Sequence, residues 1–193
     1  MIDVQPVVLE GQIVRLEPMG PQHLSQLPDC VNPDLFVHFA ATRPMSMETS
    51  ELQRYFDELL SLPNVIPYAI ISRETGKMVG ATSYMDIRAQ HDGLEIGMTW
   101  LSKTSQGTKV NPECKLLLLQ HAFEMIGCAR VQLKTDGRNL QSQHAIEKLG
   151  AKKEGVLRKH MVMYDGFVRD TVMYSILPDE WPAVKQGLLA RLA

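Results

Sequence analysis

The chain has 193 residues, of which 45% are apolar and 22% are charged, and its formal net charge at pH 7 is −2. These values are typical of a globular protein that can bury a full core, so we expect a single domain over residues 1–193. The small negative charge argues against a nucleic-acid partner, because such proteins usually carry a basic surplus.

The cysteines argue against a metal site or a disulfide framework. Cys30, Cys114 and Cys128 are odd in number, lie far apart and form no C-x-x-C pair. The histidines show no H-x-x-x-H pairing, so we expect no bound metal. The first ten residues contain Asp3 and Glu10 and lack the pattern of a signal peptide, and the apolar runs are too short to span a membrane. We therefore expect a cytoplasmic protein without a membrane partner.

The first half of the chain predicts a strand, a short helix, a longer helix and a pair of strands. These elements cover residues 12–18, 21–27, 46–62, 68–73 and 77–88. Pro63 and Pro67 end the longer helix, because proline cannot continue a helical hydrogen-bond ladder. Gly76 supplies the positive φ of the turn between the paired strands.

The second half predicts a strand, a helix, a strand, a helix, a strand hairpin and a closing helix. These elements cover residues 94–101, 112–126, 129–135, 139–149, 156–163, 168–176 and 178–192. Gly127 and Gly150 follow two of the helices as C-caps, and Asp165-Gly166 marks the hairpin turn. Hairpins at both ends and one strand–helix–strand crossover predict an α/β (α+β) fold with a mixed sheet, and argue against a TIM barrel or a doubly wound sheet.

The loop before the third predicted helix is suited to binding an anion. Asn111 is predicted as the N-cap of this helix and Pro112 as its first residue. Backbone N–H groups of residues 106–110 can converge ahead of the helix, where its dipole favours a diphosphate. Gly107 permits close backbone approach and Lys109 adds a cation. The segment is also typical of an ordinary capped helix, and it matches neither a Walker A loop nor G-x-G-x-x-G.

The next helix start supplies a second motif. Asn139 is a good N-cap and Ser142 lies in the first helical turn. Taken singly, each is ordinary at a helix start. The segment continues to Lys148-Leu149-Gly150-Ala151, where the helix is predicted to end.

Together the two segments resemble the GNAT superfamily of N-acetyltransferases. Residues 106–109 are similar to its pyrophosphate loop, Q/R-x-x-G-x-G/A, although Lys109 stands where the second glycine is usual. The segment from Asn139 to Ala151 resembles its N-x-x-S…K-x-G-F/A motif, and residues 95–97 and the closing hairpin are also similar. The nearest branch contains enzymes like the ribosomal-protein-alanine N-acetyltransferases. A left-handed lysine would be strained by roughly 1 kcal/mol, so we expect Lys109 in the αR or β region.

The resemblance implies a GNAT-like, mostly antiparallel twisted sheet of about seven strands, with helices on both faces and two central strands splayed. It implies acetyl-CoA as cosubstrate, an amine acceptor (a protein N-terminus or a small molecule) and a homodimer. The pantetheine arm would lie between the splayed strands, where a backbone N–H would polarise the thioester carbonyl. The cofactor-binding residues are predicted to be Thr99, Trp100, Leu101, Gln106, Gly107, Thr108, Lys109, Val110, Asn111, Lys134, Thr135, Arg138, Asn139 and Ser142, with Lys134 and Arg138 at the outer phosphate.

The same resemblance predicts two catalytic residues. Strand alternation places Glu95, Gly97 and Thr99 on one face, opposite Leu94, Ile96, Met98 and Trp100. Glu95 is predicted to accept the ammonium proton, directly or through water, and Ser142 to give a proton to the leaving thiolate. Tyr84 and Tyr164 are alternative acids. Cys114 could form an acyl-enzyme, because a thiol in the first turn of a helix has a lowered pKa, but no histidine with a local signature lies near it, since His121 is seven residues further on.

The acceptor pocket is less well defined by the sequence. Residues 36–47 and 161–173 are predicted to form its walls, and Arg43 and Arg88 are candidates for binding a substrate carboxylate. Two other functions stay open beside acetyl transfer. One is a CoA-binding sensor or interaction module without catalysis, and the other is an enzyme of a different class that acts on a phosphate-bearing ligand.

Overall fold

The computed structural model describes residues 1–40 and 42–193. The strands are β1 (Leu9–Glu10), β2 (Val14–Pro18), β3 (Ile66–Ser72), β4 (Met78–Arg88), β5 (Gly93–Leu101), β6 (Arg130–Asp136), β7 (Lys152–Val162) and β8 (Val168–Ile176). The α-helices are α1 (Leu27–Cys30), α2 (Thr49–Ser61), α3 (Val110–Gln120), α4 (Leu140–Glu147) and α5 (Trp181–Leu192). A π-helical turn, His121–Ile126, continues α3. Within the described ranges, every helix is too short or too polar to cross a lipid bilayer.

The strands form one sheet in the order β1-β2-β3-β4-β5-β6-β8-β7. The β5–β6 pair is parallel, and the other neighbouring pairs of the described chain are antiparallel. The predicted mixed, mostly antiparallel sheet is therefore confirmed. Its eighth strand is the short β1, which the sequence did not predict, because a strand of two residues shows no periodicity.

The two central strands part after a short stretch of pairing. β5 continues along β4, and β6 continues along β8. Because the two strands follow different neighbours from that point, the sheet opens between them. The splay implied by the family resemblance is confirmed. The paired residues of β5 and β6 are Gly93 with Arg130, Leu94 with Val131, and Glu95 with Gln132.

A β-bulge lies in β5 just beyond this point. Between the pairs Ser83–Gly97 and Ala81–Trp100, β4 has one residue and β5 has two. Met98, in the bulge, has a φ of +48°, a left-handed conformation that strains a residue with a side chain. Bulges bend a strand and change which way its side chains point, and this one bends β5 where it leaves β6.

The bulge overturns the predicted alternation along β5. Leu94 and Ile96 pack in the core formed with α3, α4 and α5, as expected. Trp100 instead packs in a second core against α2, and Met98 lies against the same core. The expectation that all four share a face was wrong beyond Gly97, because one inserted residue reverses the alternation.

The start of α3 also differs from expectation. The helix begins at Val110, and Asn111 is not its N-cap. Thr108 Oγ1 accepts a hydrogen bond from Val110 N at 3.2 Å and so caps the helix earlier. Pro112 is the third helical residue and not the first, as was predicted. It is tolerated there because the N–H groups of the first helical turn have no partner within the helix. The prediction for α4 is confirmed, since Asn139 Oδ1 accepts from Ser142 N at 3.0 Å.

Glu113 joins α3 to the turn between β1 and β2. Its buried carboxylate accepts three backbone N–H groups: from Gln12 at 3.0 Å, and from Ile13 and Val14 at 2.6 Å each. Gly11 completes this contact, because a Cβ there would lie 2.5 Å from Glu113 Oε2. The carboxylate thus fixes the edge of the sheet to the helix that borders the gap.

We predict that Glu113→Gln lowers the free energy of unfolding by about 2 kcal/mol, because an amide can satisfy fewer of these three donors than a carboxylate. This corresponds to a Tm lower by roughly 4 to 8 °C in a chain of this size, measurable by differential scanning calorimetry. Glu10→Gln in the same corner is the control, since Glu10 forms an exposed ion pair with Arg73. Equal Tm values for the two variants would contradict the prediction.

Candidate functional site

A cavity of about 620 Å³ occupies the gap between β5 and β6. Pro112 of α3 and Leu149 beyond α4 line it on one side of the sheet. Phe39 and Arg169 line it on the other side, where the chain before α2 meets the β7–β8 hairpin. The cavity therefore passes through the sheet, so that two molecules can meet there from opposite faces. We call these the helix side and the hairpin side.

Most of the predicted site residues line this cavity: Glu95, Thr99, Trp100, Leu101, Gln106, Gly107, Thr108, Asn111, Lys134, Thr135, Asn139 and Ser142. Lys109, Val110 and Arg138 are not among its lining residues in the described chain. The sequence therefore located the cavity, and the individual roles of its residues remain predictions.

Glu95 stands where β5 and β6 part, in the last residue pair that joins them. It is 1% exposed, and its Oε2 accepts from Gln132 Nε2 and from Lys134 Nζ, both at 3.0 Å. Its Oε1 faces Gly97, where an added Cβ would lie 3.0 Å from that oxygen. One carboxylate oxygen is thus held by two donors, and the other lies beside a residue without a side chain.

Gln132 is itself held in one orientation. Arg88 Nη2 donates to its Oε1 at 3.0 Å, while its Nε2 donates to both Asp86 and Glu95. Because an arginine can only donate, the amide oxygen must face Arg88 and the amide nitrogen must face the carboxylates. Arg88 therefore orients Gln132, the hydrogen-bond partner of Glu95. It does not line the cavity, so the structure does not support its predicted contact with a substrate carboxylate.

Two cations predicted at the outer phosphate are engaged elsewhere. Lys134 lines the cavity but pairs with Glu95. Arg138 forms a two-pronged contact with Asp136 and stacks over the Phe167 ring at 3.5 Å. Arg138 faces a neighbouring cavity of about 500 Å³. Both side chains are bound to carboxylates, so the structure gives no support to their predicted phosphate contacts.

The predicted anion loop lines the helix side of the cavity. Gly107 has a φ of +73°, and no atom lies within 4 Å of the position its Cβ would take. Lys109 adopts the expected αR conformation, with φ −70° and ψ −6°. Its Nζ donates to the carbonyl oxygens of Leu192 and Ala193 at 2.8 Å each. The ammonium thus holds the end of α5 beside the loop and does not supply the predicted cation.

The position of α5 brings in a residue that the sequence did not suggest. Arg191 lines the helix side of the cavity, and its Nη1 is buried with no hydrogen-bond partner in the described chain. Asn111 Oδ1 is in the same condition. Buried polar atoms without a partner are rare in proteins, so these two are candidate ligand contacts. No sequence signal identified Arg191, because it lies about eighty residues from the loop in the chain.

Lys115 is a second residue that the sequence did not suggest. It is 6% exposed, lines the cavity, and donates from Nζ to Thr99 Oγ1 at 2.8 Å. It forms no ion pair with any described carboxylate. Burial lowers the pKa of its ammonium. A buried cation with so little compensation costs folding free energy.

The three candidate proton donors differ in whether they line the cavity. Ser142 is half-buried and lines the cavity. Tyr84 is in the core, where its hydroxyl donates to the Leu118 carbonyl oxygen, and Tyr164 is 53% exposed beneath Arg43. Neither tyrosine lines the cavity. Of the three predicted donors, Ser142 is the one that the structure brings to the site.

Cys114 does not have the character of a nucleophile. The sequence suggested a lowered pKa, because the thiol lies in the first turns of a helix. The side chain is fully buried in the core, and burial raises the pKa of its thiol to about 11. The expectation was wrong, because the loss of hydration outweighs the helix dipole.

The predicted acceptor walls are only partly at the site. Leu35, His38, Phe39, Ala40 and Met161 line the hairpin side of the cavity. Met163 is buried away from it, and Arg43 stacks on Tyr164 at 3.0 Å. Ala41, within the predicted wall of residues 36–47, lies outside the described residues.

Comparison with known proteins agrees with this geometry. The family model of the acetyltransferase (GNAT) domain matches residues 14–152. The chain is similar to YjcK of Bacillus subtilis (strain 168), described as a probable N-acetyltransferase. The two are 29% identical over 155 residues, which cover 77% of this chain and 84% of YjcK.

Solved structures show the same fold. A crystal structure from T. thermophilus, described as a candidate acetyltransferase, has a TM-score of 0.91 and 39% identity over 100% of both chains. Mycobacterium smegmatis RimJ in complex with CoA-disulfide has a TM-score of 0.77 and 18% identity, over 96% of this chain and 94% of that chain.

We predict that Lys115→Met raises the free energy of unfolding at pH 7 by about 1 to 3 kcal/mol, because methionine keeps the buried stem and removes the buried charge. The folded state holds the Lys115 proton less tightly than the unfolded state, so the stability of the natural chain rises as pH approaches the ordinary lysine pKa of 10.5. The variant should lose this rise.

Denaturant unfolding at several pH values measures both effects. Lys77→Met is the control, because Lys77 lies exposed in the β3–β4 turn and its substitution should leave the stability unchanged. A Lys115→Met chain less stable than the natural one would show that the ammonium is a structural contact.

Proposed function

The chain belongs to the acetyltransferase (GNAT) family, and on that premise we propose that it transfers an acetyl group from acetyl-CoA directly to a primary amine in a ternary complex. The observation that carries this proposal is the parting of β5 from β6 immediately after the Glu95–Gln132 pair. It places a buried carboxylate at the apex of a cavity that opens on both faces of the sheet. The acceptor is a protein N-terminus or a small-molecule amine.

The helix side has the features that CoA requires. Backbone N–H groups of residues 106–108 lie ahead of α3, where an anion is favoured by the helix dipole. The unpartnered Arg191 Nη1 supplies a cation there, and the unpartnered Asn111 Oδ1 supplies an acceptor. The RimJ complex with CoA-disulfide, which has the same fold, is consistent with this assignment.

The gap between the strands is suited to an extended arm. Beyond Ile96 on β5 and Leu133 on β6, the facing strand edges are not paired with each other. An extended chain that carries amides can hydrogen-bond to such edges as an added strand does. Thr99, Leu101, Thr135 and Asn139 line this stretch, so we assign them to the pantetheine arm. Acetyl-CoA, when bound, supplies an acyl group activated as a thioester.

Proton handling follows from the two sides of the cavity. Glu95 Oε1 accepts the proton of the acceptor ammonium, directly or through water, while Lys134 and Gln132 hold Oε2 in place. On the helix side, Ser142 Oγ and Lys115 Nζ both line the cavity and can give a proton. We assign that role to Ser142, because it is the residue that the resemblance to the family motif implies.

The proposed functional unit is the whole chain, as a single domain over residues 1–193. The cavity takes lining residues from Leu35 near one end to Arg191 near the other. The alternative is a non-catalytic CoA-binding module, which Lys109 suggests because it stands where the family loop usually has a glycine. The placement of Glu95 favours catalysis, because binding CoA alone requires no buried carboxylate at the apex of the gap.

We predict that Glu95→Gln lowers kcat/KM for acetylation of an amine by roughly 100-fold or more, because general bases typically contribute that much. The dissociation constant for CoA should stay unchanged, since Glu95 lies at the apex and not at the loop. The measurement is an acetylation screen over peptides with free N-termini, amino acids and polyamines, with calorimetry for CoA.

Glu154→Gln is the matched control, because Glu154 also forms an ion pair, with Arg130, but does not line the cavity. Binding of CoA without acetylation of any amine would favour the non-catalytic module. No binding of CoA at high micromolar concentration would remove the proposal altogether.

A further inference from the structure

The hairpin side of the cavity contains a buried cation that forms no ion pair among the described residues. Arg169 is 5% exposed and lines the cavity. Its Nε donates to Thr171 Oγ1 and its Nη1 donates to the His38 carbonyl oxygen, each at 3.1 Å. Both of these acceptors are neutral. Among residues 1–40 and 42–193 the guanidinium forms no ion pair. Residue 41, which lies outside the described residues, is an alanine and has no carboxylate.

The neighbouring carboxylates are already paired. Glu95 lies 3.0 Å from Lys134 Nζ, and Asp136 lies 2.7 Å from Arg138 Nη2. Burial lowers the pKa of the Arg169 guanidinium, while the negative charges of Asp136 and Glu95 act against this shift. Arginine nevertheless remains protonated in proteins. The hairpin side therefore holds one positive charge more than its paired carboxylates balance.

Arg169 also has donors to spare. A guanidinium carries five N–H donors in a planar fork, and the hydrogen bonds among the described residues use one on Nε and one on Nη1. A fork of this shape binds a carboxylate through two parallel hydrogen bonds. Leaving a buried cation without an anion is costly, so a ligand that supplies one gains more here than at the surface.

Resting on the proposed acetyl transfer, we infer that the acceptor is an amine that also carries a carboxylate, with the carboxylate on Arg169 and the amine beside Glu95. A phosphate group fits less well, because its second negative charge would face Glu95 and Asp136 with a single free guanidinium to balance it. A polyamine fits less well again, because its second ammonium would face Arg169. The free amino acids are the simplest members of the acceptor class that remains.

The first test compares acceptors that differ only in charge. Each of a panel of free L-amino acids is paired with its C-terminal amide, and spermidine and a peptide amide are added, with acetyl-CoA as donor and mass spectrometry of the product. Because an α-amine next to an amide is less protonated at pH 7.5, the chemistry alone favours the amide. We expect the preferred free amino acid to exceed its amide in kcat/KM by roughly 10-fold or more.

The second test removes the guanidinium. Arg169→Met should lower kcat/KM for the free amino acid by roughly 30-fold, mainly through KM, and change it for the amide by less than about 3-fold. Arg169→Lys should restore part of the preference, because it keeps the charge. Calorimetry of the N-acetylated amino acid binding to the protein–CoA complex should show the same loss without any turnover. Arg158→Met is the control, since Arg158 is exposed on β7.

The outcomes separate the two proposals. Acetylation with a preference for amides, peptides or spermidine would overturn the acceptor inference and leave the acetyl transfer standing. Equal losses for acid and amide in Arg169→Met, with no rescue by lysine, would show that Arg169 only holds the His38 segment, and would overturn it too. If CoA binds and no amine is acetylated, both proposals fall.

Discussion

β5 and β6 share only three residue pairs, and the gap that follows is the constraint on which the site depends. Beyond the third pair, backbone groups of two central strands face each other without bonding, which is costly in a folded protein unless a ligand or water satisfies them. The bulge at Met98 bends β5 at this point and leaves it one residue longer than the partner stretch of β4. The sheet thus keeps its order on both sides of an opening through its middle. Under the proposed function, the extended and amide-rich pantetheine arm would pair with these free strand edges.

Charge is distributed unevenly across that opening. On the hairpin side, two carboxylates are held by cations and Arg169 is left over. On the helix side, Lys115 and Arg191 line the cavity without forming an ion pair to any described carboxylate. The net charge of the whole chain is negative, so this local surplus of positive charge is a property of the site alone. A buried cation without an ion-pair partner lowers the free energy of unfolding of the empty protein. An anionic ligand that pairs with it offsets this cost.

The sequence predicted what depends on neighbours in the chain. Asn139 caps α4, Gly127 closes the π-helical turn with a positive φ, and Lys109 avoids the left-handed region. Each of these follows from local backbone chemistry. The helix before Gly150 ends earlier than predicted, with Lys148 as its C-cap. The order of the elements followed from periodicity, and the splay of the central strands followed from the family resemblance, since no local pattern marks it.

The rest depends on distances across the fold. Lys134 pairs with Glu95 because β6 brings the two side chains together. The motif in the sequence does not show whether this lysine binds a protein carboxylate or a phosphate of the ligand. The bulge at Met98 was missed because a methionine carries no signal for positive φ, and the error moved Trp100 to the wrong face. Arg169 and Arg191 could not be singled out, because what distinguishes them is the partner they lack, and a missing partner is visible only in three dimensions.

Under the proposed function, the apex of the gap sets where the amine and the thioester meet. Glu95 cannot move far, since two donors hold one of its oxygens and the β6 pairing holds its backbone. Gly97 leaves space beside the other oxygen, and a side chain there would strike Met85 and Glu95 itself. Under the proposed function, an amine from the hairpin side would reach the carboxylate at one place, next to the bulge. A thioester arm arriving from the helix side along the unpaired edges reaches the same place, because beyond it the strands close. The meeting point is thus fixed by backbone pairing, and the side chains around it are left to decide which amine is admitted.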